Sequence, residues 1–224
     1  QFTFSKKENI RKKKRILGYD VASSKFQREL QWIGKDSTVA YLKIRGFSKG
    51  RYRKAYQQIF DEITQKQGKY LVIDLRDNPG GLLNEITELY SYLSDKPFQM
   101  IDTPTVVSKT SMLSPYWNTA PWYAYPVAVP MYPFFAVFQT IKTKKTAQGT
   151  YQYALESSKI KTPKPNNFKG EVFVLINGGS FSASCLFSSM VQTEGRGILI
   201  GEETGGTAHG TVAGFMPVYR LPNS

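Results

Sequence analysis

Glu171-Val172-Phe173-Val174-Leu175-Ile176-Asn177-Gly178-Gly179-Ser180-Phe181-Ser182-Ala183-Ser184 passes from an unbroken apolar run, through a glycine turn, into a cluster of serines. The run reads as a strand buried on both faces, the pattern of an inner strand in a parallel sheet. Beyond the turn Ala183, Leu186, Phe187, Met190 and Val191 recur at helical spacing until Gly195. Ser182 therefore falls at a helix N-terminus, and two roles compete for it. Serine is a common helix N-cap, its hydroxyl accepting a backbone N–H. A serine at the same place is also a nucleophile beside unpaired N–H groups and a helix dipole that stabilise an oxyanion.

A second unit of the same kind precedes it. Tyr70-Leu71-Val72-Ile73-Asp74 reads as another inner strand, Asn78-Pro79-Gly80-Gly81 as a turn, and Leu83, Ile86, Leu89, Tyr90 and Leu93 as one face of a helix. Glycines let the turn bring backbone N–H groups close to a ligand, and open α/β sheets place their sites at the carboxyl ends of such strands. The two turns together supply a serine and a candidate oxyanion hole. Outward from them, 39–44 (VAYLKI) reads as an earlier strand. Tyr52, Tyr56, Ile59, Phe60 and Ile63 mark a helix before Gly68, and 197–200 marks the strand after the serine helix. The alternation of strands and helices gives an α/β class.

IDLRDNPGG at 73–81, NGGSFSAS at 177–184 and IGEETGG at 200–206, in that order, resemble the tail-specific, or C-terminal-processing, serine peptidase family, which includes the tricorn core. The resemblance runs from about Val39 to the end of the chain. It implies an α/β fold of the crotonase- and ClpP-like kind, a superhelix of β-β-α units with the nucleophile in a cleft. By that resemblance Ser182 is the nucleophile. The amides of Ala183 and Gly81 form the oxyanion hole, and Gly80 shapes the turn. The implied activity is hydrolysis of peptide bonds in extended or C-terminal segments of a peptide or protein, through an acyl-enzyme. The implied location is extracytoplasmic, in the periplasm or cell envelope.

The general base departs from the family pattern. The processing peptidases carry a lysine twenty-five residues beyond the serine, where this chain has Thr207, and no lysine follows Lys169. His209, the only histidine, lies two residues further and in an extended segment points to the same side as position 207. An imidazole accepts a proton near neutral pH without the burial that a lysine needs, so His209 is the candidate base. Tricorn-like members draw a histidine from the first core strand, where this sequence has Lys43, a second candidate. Without a confirmed base, the competing reading is a catalytically weak or inactive module that holds peptides or apolar ligands in the same cleft.

Other polar groups read as support. Asp74 and Arg76 suit an internal ion pair behind the glycine turn, and Glu202 and Glu203 suit a surface or capping role. GEETGG lacks the lysine of a phosphate loop, so no cofactor and no metal are assigned. Cys185 packs as a small apolar residue on the helix face.

The 224 residues suit one sizeable core, and 41% hydrophobic content suits a globular chain. The absence of an initiating methionine, and a stop at Ser224 inside a continuing pattern, lead us to expect a longer polypeptide with any signal peptide, lipid-anchoring cysteine or PDZ-like module outside this segment. The net charge of +13 is concentrated: positions 1 to 15 carry seven Lys or Arg and one Glu. The run Arg11-Lys12-Lys13-Lys14-Arg15 reads as a solvated strand or linker face. No nucleic-acid-binding motif accompanies it, so nucleic acid is not an expected partner, whereas attraction to acidic peptides or an anionic membrane surface is. Residues 1–36 form a basic lead-in, a candidate remnant of a preceding module, and 37–224 form the peptidase core. Within it an aromatic-rich insertion at about 103–169 has its longest apolar stretch broken by Pro126, Pro130 and Pro133. Its length and prolines exclude an ordinary membrane-spanning helix. It reads as a satellite core or, more sharply, as a lid, a groove wall or a surface that docks on lipid or a partner. Oligomeric state has no signature in the sequence.

Overall fold

The computed structural model describes residues 6–34, 38–109 and 121–207. Contacts divide the chain into two compact units, the larger within Gln1–Met100 and Ile160–Thr211, the smaller built on Ile101–Lys159.

The larger unit begins with helix α1 (Lys6–Leu17), the short pair β1 (Tyr19–Asp20) and β2 (Lys25–Phe26), and strand β3 (Arg28–Ile33). Then follow β4 (Val39–Ile44), α2 (Tyr52–Gln65), β5 (Tyr70–Asp74) and α3 (Leu83–Ser91). The smaller unit contributes β6 (Thr105–Val106), α4 (Tyr125–Lys142), β7 (Thr143–Lys145) and β8 (Tyr151–Tyr153). The chain returns to the larger unit with β9 (Glu171–Ile176), α5 (Ala183–Thr193) and β10 (Ile198–Gly201). One five-stranded sheet, in the order β10-β9-β5-β4-β3, is parallel from β10 to β4, with β3 antiparallel at the edge.

Each parallel strand is added beside the one before it, so right-handed crossovers carry α2, α3 and α5 to one face of the sheet. The register follows: Ala40, Leu71 and Val172 form one row, and Leu42, Ile73 and Val174 the next, all fully or almost fully buried. Ile59, Phe60, Ile63, Ile86, Leu89, Phe187 and Val191 from the helices close this core. The opposite face is only half-buried at Tyr41, Lys43, Val72, Phe173 and Leu175. The expectation of strands buried on both faces is thus corrected. The apolar runs are continuous, yet among the described residues the crossover helices cover only one face of the sheet.

The lead-in is not a separate module. Its run 11–15 lies on α1, exposed, rather than on a strand or linker. Its β3 pairs with β4 from Arg28↔Ile44 to Ile33↔Val39 and so completes the sheet. The insertion is also shorter than expected, because 160–169 pack with the larger unit.

In the smaller unit β6, β8 and β7 form an antiparallel three-stranded sheet. Pro126, Pro130 and Pro133 lie within α4 instead of breaking it, and none of its residues is buried. A satellite core on this helix is therefore not formed by the described residues. No helix among the described residues is long and apolar enough to cross a membrane.

Candidate active site

β5 and β9 are adjacent parallel strands, so the turns that follow them emerge at the same edge of the sheet. Side chains lock the two turns together. Asn78 is fully buried; its Nδ2 donates to the Ile44 carbonyl at 3.0 Å, and its Oδ1 accepts the Gly80 N–H at 2.9 Å. Its own carbonyl accepts the Phe181 N–H at 2.9 Å and the Ser184 hydroxyl at 3.0 Å. Ser180 Oγ donates to the Leu75 carbonyl at 2.9 Å, and Asn177 and Asp77 exchange side-chain and backbone bonds across the gap. The three serines are thereby sorted. Ser180 and Ser184 are buried ties between the turns, while Ser182 is half-buried.

Ser182 has φ 52° and ψ −114° and makes no side-chain capping bond to α5. The capping role is excluded on that geometry. The left-handed region is unfavourable for a residue with a Cβ, and such strain concentrates at functional sites.

Gly80 and Gly81 have φ of +96° and +138°. A Cβ on Gly80 would stand 2.6 Å from the Phe181 carbonyl oxygen and 2.8 Å from both Ala183 N and Ser182 Cβ. One on Gly81 would stand 2.1 Å from the Phe47 carbonyl oxygen. Only glycine fits at either place, as the turn chemistry expects. Phe47 staples this turn from below: its N–H donates to the Gly80 carbonyl at 2.9 Å, and its carbonyl accepts the Leu82 N–H at 2.7 Å. The amides of Gly81 and Ala183 donate no hydrogen bond to another described group. Two open N–H groups therefore belong to the turns that meet at Ser182, the requirement for holding a developing oxyanion.

The GEETGG turn folds back onto the serine turn. Gly205 N–H donates to the Ser180 carbonyl at 3.1 Å, and a Cβ on Gly206 would stand 3.3 Å from Ser182 N. Exposed Glu202 and Glu203 line, with Cys185, Ser188 and Gln192, a cleft of about 470 Å³ along α5. Cys185 is buried, its thiol donating to the Ser180 carbonyl. Thr207 is exposed, and His209 lies outside the described residues.

Lys43 Nζ donates to the Arg76 carbonyl at 2.7 Å and pairs with Asp74 at 3.1 Å. Lys43 is thus an ion-pair partner of Asp74. Asp74, almost fully buried, also accepts the Tyr41 hydroxyl and three bonds from Arg76. Burial alone would raise its pKa, but the bonds from Arg76, Tyr41 and Lys43 overturn that and hold it well below the usual carboxylate range. Asp74 and Arg76 thus form the expected pair behind the glycine turn, but it is not internal, because Asp74 is buried and Arg76 is exposed. Sequence reading passed over Asn78 as the central tie, although an asparagine before Pro-Gly carries a turn signal.

Mature CPAF has the same fold, with 16% identity over 80% of this chain and 41% of that one, at a TM-score of 0.51. A candidate peptidase from Parabacteroides merdae ATCC 43184 aligns at 17% identity over 81% of this chain and 45% of that one, with a TM-score of 0.48. The photosystem II D1 C-terminal processing protease aligns at 20% identity over 74% of this chain and 31% of that one, with a TM-score of 0.43. The chain thus spans less than half the length of each of these structures. No curated protein matches it. The model of peptidase family S41 matches residues 38–219, from the start of β4 to beyond the serine and GEETGG turns, and the chain belongs to that family.

Proposed function

We propose that this chain carries the nucleophile and oxyanion hole of a serine peptidase that cleaves extended or C-terminal segments of peptides or proteins. The observation that carries the reading is Ser182, held in a strained left-handed conformation without a capping bond, beside the glycines of a second turn. Ser182 Oγ attacks the scissile carbonyl carbon, and its proton passes to a base. The carbonyl oxygen becomes the oxyanion, held by the Gly81 and Ala183 amides. Collapse expels the amine, which takes up the proton, and water then hydrolyses the acyl-enzyme by the reverse sequence. His209 is the base we assign, because imidazole is half-protonated near neutral pH and the GEETGG turn runs back to Ser182.

The family resemblance supports a location outside the cytoplasm, in the periplasm or cell envelope. The exposed apolar helix α4, ending at Lys142 and followed by Lys144 and Lys145, supports contact with a membrane surface.

Labelling with a fluorophosphonate probe tests the reading. Labelling is expected for the wild type, absent in Ser182→Ala and strongly reduced in His209→Ala. A wild type that takes no label between pH 6 and 9 would turn the reading to a binding module. Full labelling of His209→Ala would move the base elsewhere.

A further inference from the structure

Among the described residues the largest fully buried side chain is Arg28 of β3, within the basic lead-in. All five of its N–H groups are used. Nε and Nη2 donate to Glu85 Oε1, Nη1 to the carbonyls of Leu17 and Lys49, and Nη2 also to that of Ser48. Tyr56 of α2, also fully buried, adds a third donor to Glu85 Oε1 at 2.8 Å. Glu85 Oε2 is buried and accepts no hydrogen bond. Buried ion pairs are weak sources of stability and are better attested as devices that fix one arrangement.

The arrangement fixed here is the oxyanion turn. Arg28 grips the carbonyls of Ser48 and Lys49, the two residues after Phe47, which is bonded to Gly80 and Leu82 on either side of Gly81. Glu85 lies in the first turn of α3, its N–H donating to the Leu82 carbonyl at 3.0 Å. The ion pair thus ties the Phe47 staple to the start of the helix that follows Gly81. We propose that Glu85, through Arg28, is a positioning residue for the Gly81 amide and that oxyanion stabilisation needs it ionised. This rests on the serine peptidase reading.

The groups facing Glu85 are Arg28 and Tyr56, and burial outweighs their pull, raising its pKa to about 7. Its ordinary value is 4.5, so folding takes up a proton between these two values and stability falls as pH rises through that window. Reactivity of Ser182 instead rises as pH passes about 7, where folded Glu85 ionises. A residue that only held the fold together would move both in the same direction.

The test is the second-order rate of fluorophosphonate labelling from pH 5 to 9, urea unfolding over the same range, and hydrogen exchange of the segment 79–85. Glu85→Gln is expected to label about tenfold more slowly at pH 8, a fraction of the loss of a whole oxyanion donor. It should also lose the stability slope and exchange faster at 79–85. Tyr56→Phe removes a bond that favours the carboxylate, so its labelling profile should shift to higher pH; it serves also if Glu85→Gln does not fold. Labelling of Glu85→Gln within about twofold of wild type, or a Tyr56→Phe profile that does not move, would overturn the assignment. If the wild type takes no label, the peptidase reading fails, and unchanged exchange at 79–85 in the variants would overturn the clamp separately.

Discussion

Gly80 and Ser182, 102 residues apart in sequence, are in such close contact that a Cβ on Gly80 would stand 2.8 Å from the Ser182 Cβ. The glycine turn is therefore part of the seat of Ser182. Gly80→Ala adds an atom against Phe181 O and Ala183 N and imposes a left-handed φ on alanine. We expect it to lower stability by about 1–3 kcal/mol and to reduce Ser182 labelling far more than that loss explains. Urea unfolding beside labelling rates checks this; a variant that labels like wild type would show that the turn tolerates displacement.

The serine cluster predicts three different outcomes from three neighbouring substitutions. Ser180→Ala and Ser184→Ala each remove one of two donors from a buried carbonyl and should cost about 0.5–1.5 kcal/mol while keeping labelling in the folded fraction. Ser182→Gly should abolish labelling yet raise stability by about 1 kcal/mol, because glycine accepts positive φ without strain. A destabilised Ser182→Gly would mean that the serine side chain contributes to the fold.

What the sequence disclosed follows from periodicity and turns. Strands at 70–74 and 171–176, the helices after them and the meeting of the two turns were legible because each apolar run ends in a glycine turn. The one-sided burial of the sheet was not, because a half-buried face is as apolar in sequence as a covered one. Strand β3 and Arg28 were hidden for a different reason. Arg28 is surrounded by polar residues, and only a partner 57 residues away, Glu85, makes its burial tolerable. Of the candidate site, the closeness of Ser182 to its glycines was legible from motif order. The sorting of Ser180 and Ser184 from Ser182 required hydrogen bonds that span more than 100 residues.

Asp74 gives the site an acid limit. Its pKa is held below the ordinary 3.8, so ionised Asp74 contributes stability that is complete above that value and lost as pH falls beneath it. Asp74→Asn should be less stable than wild type at pH 7, with the gap narrowing steadily below about pH 4. Urea midpoints at pH 7, 4 and 3 measure it, and a gap that stays constant would mean that neutral hydrogen bonding alone supports the turn.

Helix α4 carries the last prediction. A helix apolar on all sides is normally buried, yet Val127, Phe134, Val137 and Ile141 are each at least 60% exposed and none of its residues is buried. The helix ends at Lys142, and Lys144 and Lys145 follow at once, so the exposed apolar surface ends in positive charge. Apolar and aromatic side chains enter the acyl boundary of a bilayer, while each lysine adds about 1 kcal/mol near an anionic surface. The chain should therefore sediment with phosphatidylglycerol vesicles more than with phosphatidylcholine ones. Replacing the three lysines by glutamine should weaken that preference about 100-fold, and Phe134→Ser with Phe135→Ser should remove binding to both. Binding that ignores salt and lysine content would assign α4 to a protein contact, since counter-ions screen lipid charge but not apolar packing.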